Sequence, residues 1–143
     1  MRITIPVALG GNGTIRPVAV LNDTGSSVMT LFSYEAHQLG WQPALFPAQQ
    51  IQIQSAYGIS LQPCIRVLAR VYDYNGSAIT DWFGEWVVLR NYTGIEIRLS
   101  GANVRNHLYI GTAPRLPNVY MAQTKTHLAR ILPRLNQLPL PLP

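Results

Sequence analysis

Apolar and polar positions alternate with a period of two along most of this chain, the pattern of half-buried strands. Arg2 to Leu9 alternates, Gly10-Gly11-Asn12-Gly13-Thr14 supplies a reversal, and Ile15 to Leu21 follows. A β-hairpin is the prediction there. From Gln49 to Pro63 the alternation is clean on both sides of Ala56-Tyr57-Gly58, with Ile51 and Ile53 set against Gln52 and Gln54. This predicts a second hairpin with Tyr57 and Gly58 at its tip. Two further strands are expected over Ile65 to Tyr72 and Trp82 to Leu89, joined by a turn at Asp73-Tyr74-Asn75-Gly76-Ser77, with a bulge at Gly84-Glu85-Trp86. Ile95 to Leu99 alternates again, Ser100 to Asn103 reads as a turn, and a short apolar run, Leu108-Tyr109-Ile110-Gly111, comes after it.

Helical spacing is confined to two places. Ser33 can cap a short helix over Tyr34 to Leu39 that Gly40 ends, and apolar residues at Val119, Met121, Leu128, Ile131 and Leu132 predict a C-terminal helix over Asn118 to Leu132. Beyond residue 132 the chain becomes Leu138-Pro139-Leu140-Pro141-Leu142-Pro143. Proline at every second position removes backbone donors and imposes an extended chain, so residues 133–143 read as a proline-rich tail or linker. Residues 1–132 then form one domain.

The run Val18 to Phe32 stands apart from the other alternating segments. Val18-Ala19-Val20-Leu21 leads into Asn22-Asp23-Thr24-Gly25-Ser26-Ser27, and Val28-Met29-Thr30-Leu31-Phe32 leads out. Asp, Gly and Ser are ordinary turn residues. A carboxylate set between two apolar strands is costly, however, unless it is hydrogen-bonded or has chemistry to perform. Asn22, whose side chain should point to the opposite face from Asp23, needs a partner inside the fold.

Composition narrows the field. Of 143 residues 48% are apolar and 12% charged, which describes a globular chain rather than a disordered one. Net charge is +5, but the arginines are scattered singly, which favours a solvated surface over a nucleic-acid footprint. Six carboxylates in the whole chain leave few candidates for acid/base work. Cys64 is the only cysteine, so no internal disulfide forms. With no leader-like or membrane-spanning apolar run, a cytoplasmic protein without membrane contact is expected, free or as part of a larger polyprotein. His37, His107 and His127 are far apart, and no cofactor or metal is expected.

At Asp23-Thr24-Gly25-Ser26 the chain resembles the aspartic proteases, specifically the short retropepsin-like kind that act as homodimers. The resemblance extends to the order of parts: a hairpin, the turn, the Leu39-Gly40 pair, a second hairpin and the late Leu108 to Gly111 segment. It implies a mostly β fold, a closed β-barrel of the acid-protease type with one short and one C-terminal helix. It also implies an aspartic endopeptidase in which Asp23 is the catalytic carboxylate, one from each copy of the chain, acting on a peptide or protein substrate. Thr24 would lock the two turns across the axis, Gly25 would admit substrate backbone, and Ser26 would donate a hydrogen bond to the carboxylate. Tyr57 and Gly58 would form a flap over substrate, with Ser27, Val28, Ile59 and Ile110 beside it as substrate-binding positions. The Leu108 to Gly111 segment would pack against the turn. The local sequence also fits an ordinary surface hairpin at Tyr57. Two other classes stay open: a retropepsin-like dimerisation or peptide-binding module without efficient proteolysis, and a small β-barrel that binds nucleic acid.

Overall fold

The computed structural model describes residues 2–8, 14–22, 25–73, 75–95, 97–116 and 119–133. It is mostly β. Arg2–Ala8 (β1) and Arg16–Leu21 (β2) pair antiparallel with Arg2 opposite Leu21, the hairpin expected from the alternation. Met29–Phe32 (β3) follows the turn, and Ser33–Gln38 (α1) comes directly after it. Gln49–Ser55 (β4) and Gly58–Ala69 (β5) make the second hairpin, and Phe83–Arg90 (β6) pairs with the inner half of β5.

The sheet runs β2-β1-β5-β6-β3, with β4 pairing the outer half of β5 and β3 lying parallel to β6. This path is open, and no closed barrel is found among the described residues. Its two ends are linked only by single bridges, Leu21 to Leu99 and Met29 to Ser100.

Alternation explains which face is buried. Ile65, Val67 and Ala69 of β5 and Phe83, Val87 and Leu89 of β6 enter one core with Val18, Val20, Met29 and Leu31. Ala36 of α1 and Leu39 just after it cap the core. Glu35 accepts a hydrogen bond from the Phe32 backbone N–H (3.0 Å), one half of a capping box that starts the helix at Ser33. Gly40, at φ +93°, ends it in the left-handed conformation that glycine adopts without a Cβ penalty.

Three expectations are corrected. No bulge interrupts β6: the ladder with β5 runs unbroken through Leu68 opposite Gly84, Val67 opposite Glu85 and Arg66 opposite Trp86. The stretch after Ser100 is more than a turn, because Asn103–His107 (α2) is helical. The helix expected over Asn118 to Leu132 divides: Tyr109–Thr112 (β7) and Val119–Ala122 (β8) form a separate antiparallel pair, and only Lys125–Ile131 (α3) is helical. Thr124 caps α3 by accepting from His127 N–H at 3.1 Å, so the chain changes from strand to helix at a recognisable stop. Among the described residues the fold therefore carries three helices, where two were expected. Pro133 is the one tail residue described; the expectation for the rest of the tail lies outside the described residues.

Candidate functional site

The turn between β2 and β3 is held at both of its arms by one later segment. On the incoming arm, Leu21 N–H donates to the Arg98 carbonyl (2.6 Å) and the Leu21 carbonyl accepts from Ser100 N–H (3.0 Å). On the outgoing arm, Thr30 N–H donates to the Leu99 carbonyl (3.1 Å), while the Thr30 hydroxyl accepts from Leu99 N–H (2.8 Å). Ala102 N–H reaches the Ser27 carbonyl at 3.3 Å. Leu99 to Ala102 thus passes between the two strands that carry the turn and fixes their separation. Gly101 makes this possible. It sits at φ +62°, and a Cβ there would lie 2.5 Å from the Met29 backbone nitrogen, closer than any side chain could come.

Asp23 and Thr24 themselves lie outside the described residues. Around them, Gly25 and Ser27 are exposed and Asn22, Ser26 and Val28 half-buried. Asn22 finds the interior partner that its position requires: its Oδ1 accepts from the buried Ser100 hydroxyl at 3.5 Å. The Ser26 hydroxyl donates to the Val28 carbonyl at 2.7 Å, so its one proton braces the turn rather than serving a carboxylate, as the resemblance had implied. Arg105, on α2, closes the assembly from below, donating from Nη2 to the Ser26 carbonyl (3.3 Å) and from Nη1 to the Gly101 carbonyl (3.4 Å).

Ile110 is brought to the flank of this turn. It lines a cavity of about 410 Å³ with Asn22, Arg105, Leu108 and Thr112. The Leu108 to Gly111 segment was expected to pack beside the turn; it shares this cavity lining with Asn22 while Tyr109 to Gly111 pairs with β8, and the backbone bonds to the two arms of the turn come from Arg98 to Ala102.

The second hairpin stands clear of the body. Tyr57 is fully exposed and Gly58, at φ +115°, completes the tip, which Ser55 ties by accepting from Tyr57 N–H (3.2 Å) and donating to the Gly58 carbonyl (3.3 Å). The structure does not bring Ile59 to the same side as the hairpin's other isoleucines. The register sets Ile59 opposite Gln54 and Leu61 opposite Gln52, whereas Ile51 and Ile53 share the other face with Gln62 and Ser60. Ile59 and Leu61 are 65% and 66% exposed.

Sequence reasoning missed Thr30, Ser100, Gly101 and Arg105. A signal was present: alternation from Ile95 stops at Gly101, and Asn103-Val104-Arg105 follows without a turn dipeptide. Among the described residues no group of three or more His, Cys, Asp or Glu side chains could hold a metal ion, and no helix is long and apolar enough to cross a membrane. No protein-family model matches the chain, and no curated protein does.

Proposed function

We propose that the chain is an aspartic endopeptidase that acts as a two-fold homodimer, with Asp23 of each copy supplying half of the catalytic pair. The observation that carries this reading is the double clamp: the two apolar strands flanking Asp23 are held apart by one segment, Leu99 to Gly101, leaving a short polar turn between them. On this reading the single bridges at Leu99 and Ser100 close the sheet into the barrel of that family, and the exposed Tyr57-Gly58 tip is its flap.

The chemistry needs two carboxylates sharing one proton. The ionised Asp23 takes a proton from water as its oxygen attacks the scissile carbonyl, and the protonated Asp23 of the second copy gives its proton to the carbonyl oxygen. Collapse of the tetrahedral intermediate then breaks the C–N bond as the amine is protonated. Two carboxylates close enough to share a proton cannot both ionise readily, so the pair holds one proton below neutral pH, as carboxylate dyads of aspartic proteases do. Each chain has a single Asp-Thr-Gly, so the second carboxylate comes from a second copy. Thr24 would link the two turns, Gly25 leaves room for substrate backbone, and Ser26 and Arg105 brace the turn through Val28 and Ser26 carbonyls.

Asp23→Asn keeps size and removes the ionisable group from both halves at once. The expected result is loss of peptide cleavage at every pH, with the dimer seen by sedimentation unchanged or tighter. A variant that cleaves a peptide library at the wild-type rate defeats the proposal, and so does a wild-type dimer that cleaves nothing between pH 3 and 7.

A further inference from the structure

Strand alternation sends Ile65, Val67 and Ala69 of β5 and Phe83, Val87 and Leu89 of β6 into the core, so Cys64, Arg66, Gly84 and Trp86 belong to the opposite face of the sheet. The register sets Arg66 opposite Trp86 and Gln49 opposite Cys64. Residues that follow Gly40 complete a groove of about 620 Å³, lined by Trp41, Phe46, Pro47, Gln49, Arg66 and Trp86 over a floor that includes Cys64. The stretch from Asn22 to Val28 supplies none of this lining.

The aromatic walls are set before anything binds. Trp41 N–H donates to the Ala36 carbonyl (3.0 Å), its indole N–H donates to the Phe46 carbonyl (2.7 Å), and Phe46 N–H donates to the Gln42 carbonyl (2.9 Å). Such ties lower the ordering cost of binding. Aromatic surface is left bare, since Phe46 is 70% exposed and Trp86 38%. The Arg66 guanidinium carbon lies 5.9 Å from the Trp86 ring centroid, and Gly84 gives the group its room: a Cβ there would lie 2.6 Å from Nη2 and 2.9 Å from Nε. Arg66 makes no hydrogen bond or ion pair among the described residues, and no acidic side chain lines the groove. The groove thus joins aromatic walls to one cation that lacks a counter-charge.

We propose that this groove binds a small aromatic carboxylate, with its ring between Trp41, Phe46 and Trp86 and its carboxylate on the Arg66 guanidinium. The volume falls within the range of small-molecule sites, about 300–1,000 Å³. A planar ring offers π-faces to the indole and phenyl walls. The guanidinium fork matches the two oxygens of a carboxylate, and no second cation lines the groove to balance a doubly charged phosphate. The Gln49 side chain both donates and accepts, so the sign of the ligand's charge is set by Arg66 alone.

The test titrates the full chain, labelled with ¹⁵N, with 1-naphthylacetate and with the neutral 1-naphthylacetamide, which has nearly the same shape. The acid should shift the Trp86 indole signal and the Trp41, Phe46 and Arg66 amides saturably, and should bind about tenfold more tightly than the amide, a modest factor because the cation is exposed. That preference should shrink in about 1 M salt. Arg66→Met, which keeps the apolar stem, should bring the acid down to the affinity of the amide and leave the amide unchanged. Gly84→Ala, whose Cβ would push the guanidinium aside, should do the same in part. Phe46→Ser should weaken both probes. No saturable shift at the groove overturns the proposal, as does equal affinity for acid and amide in the wild type, or an acid affinity indifferent to both Arg66→Met and Gly84→Ala. Shifts at Asn22 and Ile110 in place of Trp86 also overturn it, since they would put the acid in the cavity beside the turn.

Discussion

Glu35 and Glu85 are both buried, 1% and 4% exposed, and they are held in opposite ways. Glu35 stands in the first turn of α1, where a carboxylate is favoured by the helix end. Its Oε1 lies 2.9 Å from Arg98 Nη2, its Oε2 accepts from Arg98 Nε at 2.9 Å, and the same Oε2 accepts from Phe32 N–H. The partnership pushes the Arg98 guanidinium above its ordinary value, chiefly through the hydrogen bond to Glu35. Glu85 lies between Phe83 and Val87 on the core face of β6, opposite Val67. One oxygen accepts from Trp86 N–H at 3.0 Å and the other has no partner among the described residues. Burial pushes this carboxyl from about 4.5 up to about 7, against a smaller opposing pull from that backbone hydrogen bond.

The difference teaches that depth alone does not decide what a buried acid does. Glu35 is tied to a task, because Arg98 directly precedes Leu99, and the Arg98 carbonyl receives Leu21 N–H at the entrance to the turn. The ion pair joins α1 to the segment that clamps the Asp23 turn. Glu85 has no such link and is free to titrate.

Breaking the first of these should have the largest effect. Arg98→Met keeps the apolar stem over Phe32, 4.9 Å from the guanidinium carbon, but leaves Glu35 buried without its main counter-charge. Removing one partner of a buried pair costs about 3–5 kcal/mol. Urea unfolding at pH 7 should show a loss in this range; a loss below about 1 kcal/mol would mean that Glu35 does not depend on Arg98.

Glu85 should produce a pH dependence of the opposite kind from a paired carboxylate. Its folded-state value is raised, so between about 4.5 and about 7 the folded chain holds a proton that the unfolded chain has lost. Stability from this group is fully present below about 4.5, falls as pH rises, and is gone above about 7. The shift corresponds to about 3 kcal/mol, lost between those limits. Comparing urea unfolding of wild type and Glu85→Gln at pH 4.5 and pH 8 isolates the effect from other titrating groups. The wild-type decline should exceed that of the variant by about this amount, and equal declines would show that the unpartnered oxygen is solvated.

Strand alternation made the two hairpins and β6 legible before the structure, because each buries one face at a fixed period, and the Gly40 stop made α1 legible. The Asp23 turn was legible as a polar insertion between two apolar runs. The clamp was not, since it depends on pairing between Leu21, Thr30 and residues about seventy to eighty positions later, and Ser100 interrupts the apolar run that would have drawn notice. Val119 and Met121 satisfied a helical count, yet they also stand two apart among Tyr120 and Ala122, and pairing with Tyr109 to Thr112 decided for strand. Glu85 could have been found, for it falls in step with Phe83, Val87 and Leu89 on the apolar face of its strand.

The smallest effect concerns the second cation beside Glu35. Arg16 Nε lies 3.6 Å from Glu35 Oε1, beyond hydrogen-bond range, and its side chain is 35% exposed. Half-exposed ion pairs contribute little because water screens them and two long side chains must be ordered. Arg16→Met should therefore cost about 0.5 kcal/mol or less in urea unfolding at pH 7, most of it disappearing in 1 M salt. In the Arg98→Met background the same substitution should cost more, because Arg16 is then, among the described residues, the one cation paired with a carboxylate left in the core. A double-mutant cycle measures that coupling. If the two costs simply add, the two arginines act on Glu35 independently, and the buried acid is held by the helix end and the Phe32 N–H rather than by a choice between cations.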